Sequence, residues 1–507
     1  MRMPSRYIEK ILKAKVYDVA IESPLDVMAN LSNRFGNNIL LKREDLQPVF
    51  SFKLRGAYNK IANLPDAAKR NGVITASVGN HAQGVALAAQ RLGIRALIVM
   101  PKTTPDIKIH SVRNFGANII LHGDAYDEAY QHALELSKRE LMTFVHPYDD
   151  PDVIAGQGTI AMEILRQAGG DSLHAIFIPV GGGGLIAGIS AYVKYLFPKI
   201  KIIGVEPSDA PSMYRALAEG KRVVLDQVGI FADGVAVRQA GEEPFRIAQQ
   251  CVDEILLVST DEICAAIKDI FDDTRSIAEP AGALAVAGLK LYVERENLRD
   301  ANLVAIDSGA NVNFDRLRHI SERAEVGEKT EAILAVSIPE RPGSFRVFCD
   351  VIGHRSVTEF NYRYSDTSEA KVFVGIRLRR GVAEKEEITD CLLKAGYPVV
   401  DLTDNEMAKL HVRHMVGGKA LSVDHEVVYR FEFPERPGAL LRFLTTMGER
   451  WNISLFHYRN HGAAYGRVLV GIQVPDEDKQ EFQTFLDDLH YVYCDETTNP
   501  AYKLFLS

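Results

Sequence analysis

Cysteine is scarce in this chain: five are spread over 507 residues, with no Cys-x-x-Cys pair among them. Their odd number and wide spacing suit neither a disulfide framework nor a zinc site, so we expect reduced thiols and no metal. No run of about 18 or more apolar residues occurs, so no membrane-spanning helix is predicted. The first residues, 1–6, also lack the apolar core of a secretory signal. These absences favour a soluble, cytoplasmic protein.

Positive charge is not in excess either. The formal net charge is −8, so neither nucleic acid nor an anionic membrane is an expected partner. The hydrophobic content of 47% and the charged content of 25% are ordinary for a globular protein. A chain of 507 residues is long enough for about three domains.

Short apolar segments alternate with longer helical patterns between residues 72 and 307. The predicted strands cover residues 72–76, 96–100, 117–121, 143–145, 175–180, 200–205, 255–258 and 303–306. They are rich in β-branched residues and lack polar alternation, which is typical of parallel strands buried on both faces. The pattern predicts an α/β fold with an open, mostly parallel sheet. Sites in such a fold lie at the carboxyl ends of the strands.

One lysine, Lys53, lies in an unusual setting, within the segment PVFSFKLRGA at residues 48–57. Ser51 is a frequent N-cap type, so we expect Lys53 in the first turn of a helix. The positive end of a helix disfavours a cation by about 0.3–1 kcal/mol, which would lower the lysine pKa by less than one unit. Partial burial among aromatic side chains would have to lower the pKa further. A lysine of lowered pKa is suited to Schiff-base chemistry. Taken alone, the segment fits a surface lysine with a buried stem better.

A second motif, SVGNHAQG at residues 77–84, follows the strand at 72–76. Its exposed backbone N–H groups could hold a carboxylate. The Asn80 amide could bond a ligand hydroxyl or oxyanion, or it could merely cap the next helix. His81 could act as an acid or base, although a lone histidine is more often structural.

The third motif consists of four glycines, at 181–184, between a strand and a helix. Without Cβ atoms, successive amides can converge on an anion at a helix N-terminus. No Gly-Lys-Ser/Thr follows, which argues against a triphosphate loop. A rival is the dinucleotide fingerprint formed by Gly182, Gly184 and Ala187, with Glu206 about 20 residues later. Because such a unit usually opens the fold, we expect a phosphate site of another kind.

A fourth motif, DSGAN at residues 307–311, follows the last predicted strand. A hydroxyl there, that of Ser308, could pair with a ring nitrogen without carrying charge. The segment AEPAGA at residues 278–283 predicts a loop entering a helix, and no role is assigned to it.

These four motifs, in this order, resemble those of the fold-type II pyridoxal-phosphate enzymes (tryptophan synthase β-like). Among these, the closest resemblance is to the biosynthetic threonine dehydratases (threonine ammonia-lyases), and it covers essentially the whole chain. It implies that Lys53 binds pyridoxal 5′-phosphate covalently beside Phe52. It also implies that Asn80 holds the 3′-hydroxyl of the cofactor and Ser308 its pyridine nitrogen. The residues implied to hold the phosphate are Gly181, Gly182, Gly183, Gly184 and Leu185.

The resemblance also implies a substrate site and a reaction. The substrate carboxylate would lie against Ser77, Gly79, Asn80 and His81. Lys53 would remove the α-proton of L-threonine, giving 2-oxobutanoate and ammonia, the first step of isoleucine biosynthesis. Two positions depart from the usual family pattern: Val78, which still offers its backbone amide, and Asp307, which would alter the field near the cofactor ring.

The chain repeats itself after residue 330. Residues 338–345 recur at 433–440, 358–363 at 454–459, and 372–376 at 468–472, offsets of 95 or 96. Each repeat has the pattern strand, turn into helix, two strands, helix, strand, which is typical of a ferredoxin-like α+β unit. We therefore expect a catalytic domain at 1–322, a linker at 323–330, and ACT-like regulatory domains at 331–418 and 425–507.

The duplicated tail resembles the amino-acid-binding regulatory domains of the biosynthetic dehydratases. That implies inhibition by isoleucine, opposed by valine, in a homotetramer. Tyr362 and Tyr458 occupy equivalent positions and are candidate effector contacts, unless they are core aromatics. The alternative for the tail is a structural or oligomerising module.

Three other functions remain open from the sequence. The first is a serine/threonine dehydratase, or a related β-eliminating lyase, with a broader substrate range. The second is a dinucleotide oxidoreductase built on the glycines and Glu206. The third is an amino-acid sensor whose catalytic half only binds. Lys53 separates these possibilities, because only the lyase requires a covalent bond there.

Overall fold

The computed structural model describes residues 5–506, apart from 340–343, 354, 356, 363–368, 415–422, 435–438, 448–449 and 460–464. It divides into two compact units, Met1–Ala324 and Glu325–Ser507. Within the described residues, no helix has the length and apolar character needed to cross a membrane.

The first unit contains helices and strands in alternation. Its strands are β1 Leu25–Val27, β2 Asn38–Arg43, β3 Val73–Ala76, β4 Ala96–Met100, β5 Asn118–Leu121, β6 Thr143–Phe144, β7 Leu173–Pro179, β8 Lys201–Pro207, β9 Glu254–Val258 and β10 Asn302–Asp307. Its helices are α1 Ser5–Leu12, α2 Ala29–Phe35, α3 Lys53–Ala62, α4 Asp66–Asn71, α5 Asn80–Leu92, α6 Asp106–Arg113, α7 Tyr126–Arg139, α8 Pro151–Ala168, α9 Gly184–Leu196, α10 Ser212–Glu219, α11 Glu242–Cys251, α12 Thr260–Thr274, α13 Pro280–Glu296 and α14 Arg316–Gly327. The last helix crosses the boundary between the units and ends inside the predicted linker.

These strands form two sheets. One has the order β1-β2-β10-β7-β8-β9 and is parallel except for β1, and the other has the order β5-β4-β3-β6 and is parallel throughout. The predicted α/β class with mostly parallel strands is confirmed, and every predicted strand is present. The expected single series of strands is nevertheless split between two sheets. Strands β1 and β2 are not apparent from the sequence.

Strand β7 shows why the sequence forms this architecture. Ile176 and Ile178 pack with helices α8 and α9, whereas Phe177, between them, packs with α13 on the other side. Side chains alternate across a strand, so a sheet covered by helices on both faces needs apolar residues at every position. The carboxyl end of β7 is left as the point where a site can form.

The second unit contains two copies of one fold. The first copy comprises β11 Glu331–Pro339, α15 Ser344–Ile352, β12 Val357–Tyr362, β13 Glu369–Arg377, α16 Val382–Lys394, β14 Val399–Asp401 and α17 Glu406–Leu410. The second comprises β15 Glu426–Pro434, α18 Ala439–Met447, β16 Asn452–Arg459, β17 Tyr465–Gln473, α19 Lys479–Leu489, β18 Val492–Asp495 and α20 Pro500–Phe505. Each copy has the predicted ferredoxin-like pattern followed by one further short helix.

The two copies form antiparallel sheets of corresponding order, β12-β13-β11-β14 and β16-β17-β15-β18. Tyr362 pairs with Val372 and Tyr458 with Val468, so the two tyrosines occupy the same position in their sheets. The side chains of these two candidate effector residues lie outside the described part of the structure. A core shared by both copies contains Ile333 and Phe373 from the first and Val428 and Leu469 from the second.

Candidate active site

Lys53 is the first residue of α3, in the first turn as expected. The expected cap is wrong: Phe52 occupies the N-cap position, and Ser51 forms a backbone bridge with Gly309. Phe50 is 57% exposed, not one of the buried aromatics expected around the lysine, and its φ of 54° is an uncommon, strained value for a side chain of this size. Lys53 Nζ donates to the carbonyl oxygen of Pro147 at 3.3 Å and lies 5.1 Å from the centre of the Phe52 ring.

The environment of Lys53 makes its amine a nucleophile near neutral pH. Lys53 is half-buried, and its partial removal from water lowers its pKa to about 8, whereas the carboxylate of Glu279 opposes this shift. At pH 7 about one molecule in ten then carries the neutral amine, compared with about one in several thousand for an ordinary lysine. Burial therefore supplies the activation that the helix end alone could not.

Helix α3 is anchored by a fully buried ion network two residues after Lys53. Arg55 donates to Glu44 on one side and to Glu163 on the other, at 2.8 and 2.6 Å. Lys42 completes the network with a 2.7 Å ion pair to Glu163. Because all four side chains are inaccessible to water, they fix the start of α3 against β2 and α8.

The loop after β3 contains the predicted carboxylate site. Residues 77–80 are half-buried, and α5 starts at Asn80 with Gly79 at its N-cap. Ser77 Oγ accepts hydrogen bonds from the backbone N–H groups of Gly79 and Ala82 at 3.4 and 3.3 Å. The alternative that Asn80 caps the helix is wrong, since its side chain reaches out of the helix to other elements.

The amide of Asn80 has a partner at each end. Its Nδ2 donates to Glu279 Oε1 at 2.5 Å, and its Oδ1 accepts from Asn311 Nδ2 at 2.7 Å. Asn311 also donates to the Val49 carbonyl at 2.8 Å. The motifs at 77–84 and 307–311 are therefore joined by side-chain hydrogen bonds, with Asn80 between them.

His81 is buried, and its Nε2 lies 3.0 Å from the carbonyl oxygen of Val145. Because a carbonyl only accepts, Nε2 carries the proton and Nδ1 does not. Burial, with the nearby positive charge of Lys53, lowers the pKa of His81 to about 3. The imidazole is therefore neutral at physiological pH, which argues against a role as a proton donor and favours the structural alternative for its side chain.

The four glycines lie between the end of β7 and the start of α9. A Cβ on Gly182 would come within 2.2 Å of the Tyr148 ring, and a Cβ on Gly184 within 2.9 Å of the Tyr148 carbonyl oxygen. Gly183 has a φ of 91°, in the left-handed region that favours glycine. The loop thus keeps its amides free of side chains at a helix N-terminus, as an anion site requires.

Ser308 and Asp307 lie at the end of β10, beside the lysine motif. The Ser308 hydroxyl donates to the Ala281 carbonyl at 3.3 Å, and the Ser308 carbonyl accepts from the Phe52 N–H at 3.3 Å. Asp307 is fully buried, and burial together with the neighbouring Asp45 raises its pKa well above the usual range.

Helices α3, α5, α9 and α13 all begin around Lys53. Two sets of contacts join their first turns. Asn80 of α5 donates to Glu279, which is the N-cap of α13. Pro147 accepts from Lys53, and the next residue, Tyr148, lies against the glycine loop before α9. Helix N-termini carry partial positive charge and free N–H groups. The arrangement therefore fits an anionic, carbonyl-bearing cofactor, with a nucleophilic lysine at one end and a phosphate cradle at the other.

Glu206, the acidic residue of the dinucleotide alternative, is fully buried and forms hydrogen bonds within the fold. Its carboxylate accepts from the N–H groups of Met213 and Tyr214 at 2.9 and 2.8 Å and so anchors the start of α10. Burial raises its pKa to about 8. Because both oxygens are engaged by the backbone, Glu206 is poorly placed to bind a ribose.

Three residues of this site have no role that the sequence indicates: Glu279, Pro147 and Tyr148. The predicted helix start at 278–283 is present, with Pro280 at the first helical position, but nothing in the pattern gives the direction of the Glu279 carboxylate. Tyr148 is ordinary in sequence, and only the close approach of Gly182 shows its position. No signal in the sequence identifies the Pro147 carbonyl as a partner of Lys53.

Comparison with known proteins gives a consistent assignment for both units. The family of pyridoxal-phosphate dependent enzymes matches residues 17–309. The C-terminal regulatory domain of threonine dehydratase matches twice, over residues 322–412 and 417–506.

Relatives extend this match to the whole chain. The biosynthetic L-threonine dehydratase of Burkholderia multivorans is 56% identical over 504 residues, which cover 99% of each chain. That of Escherichia coli is 54% identical over 503 residues, covering 99% of this chain and 97% of its own. The solved structure of processed threonine deaminase isoform 2 from Solanum lycopersicum shares 54% identity, with a TM-score of 0.62 over 63% of this chain and 93% of its own. The chain therefore belongs to the pyridoxal-phosphate-dependent threonine dehydratase family, lyases with a duplicated regulatory domain, as the sequence motifs predicted.

Proposed function

We propose that this chain converts L-threonine into 2-oxobutanoate and ammonia, the first step of isoleucine biosynthesis. The observation that carries the proposal is the half-buried Lys53 in the first turn of α3, near the starts of α5, α9 and α13, where desolvation lowers its pKa to about 8. Identity of 52–56% to the bacterial biosynthetic threonine dehydratases supports the choice of substrate.

The residues present fit pyridoxal phosphate. Lys53 would bind it covalently, with the Phe52 ring beside the amine. The amides of Gly181, Gly182, Gly183, Gly184 and Leu185 would hold its phosphate. Asn80 would donate to the 3′-oxygen and Ser308 would face the pyridine nitrogen. When bound, the cofactor supplies an electron-withdrawing ring conjugated to the amino group of the substrate.

The side chains of this site would then bind, orient and deprotonate the substrate. The N–H groups and the hydroxyl of the loop at Ser77, Gly79, Asn80 and His81 would hold the substrate carboxylate at the start of α5. Lys53, released when the substrate amine takes its place, would remove the α-proton as a general base. A neutral hydroxyl at Ser308 does not favour a protonated ring nitrogen, so the loss of the β-hydroxyl group is favoured over prolonged storage of negative charge.

An absorption spectrum of the purified protein tests the proposal. We expect a visible band from bound cofactor, irreversible attachment of the cofactor to Lys53 after borohydride treatment, and release of a keto acid from threonine. Comparing kcat/KM for threonine and serine distinguishes an enzyme selective for threonine from a serine/threonine dehydratase with a broader substrate range. A colourless protein that cannot be reconstituted with pyridoxal phosphate would overturn the proposal and favour the dinucleotide or sensor alternative.

The duplicated tail is proposed to bind isoleucine as inhibitor and valine as its antagonist. A coupling of about 1–3 kcal/mol between tail and catalytic site would change affinity about 5–150-fold. Deleting residues 331–507 should leave an active enzyme that isoleucine no longer inhibits, because the first unit has its own cores and sheets. Inhibition that survives in the folded truncated protein would refute this role, and loss of oligomerisation alone would favour the structural alternative.

We also propose the domain limits 1–322, 331–418 and 425–507 with a linker at 323–330, a cytoplasmic location, and a homotetramer. Among the described cysteines all are free thiols, which supports a reducing compartment. Size-exclusion chromatography with light scattering tests the tetramer.

A further inference from the structure

Glu279 forms the N-cap of α13, and its side chain is only 5% exposed. Its backbone N–H donates to the Gly309 carbonyl at 3.0 Å, which ties the start of α13 to the loop after β10. A Cβ on Gly309 would lie 3.0 Å from Glu279 Oε1, so the carboxylate lies close against that loop. The backbone and the side chain of Glu279 therefore both lie against the Ser308 motif.

The hydrogen bonds around Asn80 determine which way its amide points. Glu279 accepts from Asn80 at 2.5 Å, and Asn311 uses its two N–H groups on the Val49 carbonyl and Asn80 Oδ1. Reversing the Asn80 amide would place its oxygen against the carboxylate and its NH₂ group against the NH₂ group of Asn311. Asn80 is thus oriented with its oxygen toward Asn311, and one of its two N–H groups is not used by Glu279.

Charged groups approach Glu279 from several elements. Burial raises the pKa of Glu279 to about 7, and Asp233 adds to this, whereas the Asn80 hydrogen bond, Lys108 and Arg316 oppose it. Ser51, two residues before Lys53, bridges Gly309, and a Cβ on Gly309 would lie 3.0 Å from both Ser51 Cβ and Glu279 Oε1. The Glu279 carboxylate therefore lies close to the start of α3, and its charge raises the pKa of Lys53. The Glu279 charge also raises the pKa of Asp307, at the end of β10. The carboxyl therefore gains its charge near neutral pH, in the range where the Lys53 amine begins to lose its own.

We propose that Glu279 is a positioning residue of this site, which orients Asn80 as an N–H donor and whose charge holds the proton on Lys53. This proposal rests on the proposed function, because it explains how the charge of Lys53 and the orientation of the Asn80 amide are set in that same site. In this orientation the remaining Asn80 N–H would donate to a ligand oxygen, which favours the anionic form of that oxygen. The same carboxylate keeps Lys53 protonated more often than burial alone would allow.

The test measures the Lys53 amine itself in the full-length, cofactor-free protein. Reaction with an amine-acylating reagent is followed by peptide mass spectrometry from pH 6 to 9.5. Removing the Glu279 charge in Glu279→Gln should increase Lys53 acylation about threefold at pH 7, because the free-amine fraction rises as the pKa falls. At pH 9.5 the rate should not change, because the amine is already neutral in both proteins.

Two further variants serve as controls. Glu279→Asp keeps the charge and should keep the wild-type acylation profile. Glu206→Gln makes the same isosteric change at another buried carboxyl with a raised pKa, and it should leave Lys53 acylation unchanged at every pH. Equal acylation of wild type and folded Glu279→Gln at pH 7 would overturn the proposal.

A measurement on the wild-type protein keeps the test decisive if Glu279→Gln fails to fold. Coupled titration of Glu279 and Lys53 predicts that the rate of Lys53 acylation rises more gradually with pH, between pH 6 and 9, than the titration curve of one independent amine allows. A profile that follows the curve of one independent amine would overturn the proposal. Acylation requires no turnover, so an inactive wild type would refute the proposed function alone, whereas an active wild type with uncoupled Lys53 would refute the Glu279 role alone.

Discussion

Asn405 and Asn499 occupy equivalent positions in the two tail repeats and are hydrogen-bonded to each other, Nδ2 of Asn405 to Oδ1 of Asn499 at 3.1 Å. Each also caps the short helix that follows it: Asn405 accepts from the Ala408 N–H and Asn499 from the Ala501 N–H, both at 2.9 Å. Contact between equivalent residues places the pair at the pseudo-twofold axis of the duplicated unit.

Neighbouring contacts follow the same symmetry. Thr403 Oγ1 accepts from the Ile333 N–H at 3.1 Å, and Thr497 Oγ1 accepts from the Val428 N–H at 3.0 Å. The Ile333 and Val428 side chains both enter the core that the two copies share. The two repeats are therefore joined through matching backbone and side-chain contacts on both sides of the axis.

A double-mutant cycle across this axis should show strong coupling. We expect Asn405→Ala and Asn499→Ala each to lower the free energy of unfolding of the tail by about 1 kcal/mol through loss of a helix cap. The double variant should lose less than the sum by about 0.5 kcal/mol or more, because the two side chains bond to each other. Trp451, the only tryptophan and buried in the second repeat, reports this transition by fluorescence. Ser259→Ala, which removes a helix cap in the other unit, should not shift that transition. Additive losses would contradict the direct contact.

Replacing Lys53 by alanine should abolish turnover without unfolding the protein. Glu279, the carboxyl that acts on the Lys53 charge, keeps its hydrogen bond from Asn80 and the favourable charges of Lys108 and Arg316 when Lys53 is truncated. Keto-acid release, cofactor absorbance and near-UV circular dichroism measure the three outcomes. Lys60→Ala, on the same helix but paired with Asp150, should retain activity. Turnover by Lys53→Ala at the wild-type rate would exclude covalent chemistry at this position.

Gly182→Ala should weaken cofactor binding severely, because its Cβ would overlap the Tyr148 ring at 2.2 Å. Cofactor affinity is measured by titrating cofactor-free protein with pyridoxal phosphate. If the ring alone causes the defect, Tyr148→Ala added to Gly182→Ala should restore affinity toward that of Tyr148→Ala by itself. A double variant as weak as Gly182→Ala would show instead that the added Cβ itself, and not its overlap with the Tyr148 ring, weakens cofactor binding.

Breaking the buried ion network should destabilise the first unit strongly. Glu163→Gln leaves Lys42 and Arg55 buried with one carboxylate fewer, and losing one partner of a buried pair costs about 3–5 kcal/mol. Chemical denaturation followed by circular dichroism measures the change. The matched control is Glu9→Gln, which breaks the exposed pair with Lys13 and should have no measurable effect. A small loss for Glu163→Gln would mean that water or a shifted proton compensates.

The parts of the fold that the sequence predicts correctly are those fixed by local pattern. The apolar segment at 96–100 coincides with β4, and the glycines at 181–184 indicate the break between β7 and α9. Short strands without a distinctive pattern escape detection: β2 contains Lys42, whose charge is neutralised by Glu163, 121 residues later in the chain. Local polarity thus hides a buried strand when ion pairs form at long range.

The residues of the site also divide into those that the local sequence identifies and those that depend on tertiary contacts. Lys53, Asn80 and Ser308 stand out because their residue types and strand-end positions suggest chemistry. Glu279 does not, since its importance depends on an Asn80 contact 199 residues away in the chain. The expected Ser51 cap fails because a backbone bridge to Gly309 competes for that residue. Contacts of this kind follow from tertiary structure and cannot be derived from spacing.

The shared core of the tail also has a consequence for biosynthesis. Val428 leaves the ribosome 95 residues after Ile333, its equivalent in the first copy. At a synthesis rate of about 5–20 residues per second, the apolar outer face of the first sheet has no partner for about 5–20 seconds. A nascent chain therefore passes through a stage at which Ile333 and Phe373 are open to pairing with the same face of another nascent chain. Slow translation between residues 415 and 507 would lengthen that stage and favour chaperone capture or exchange of repeats between chains.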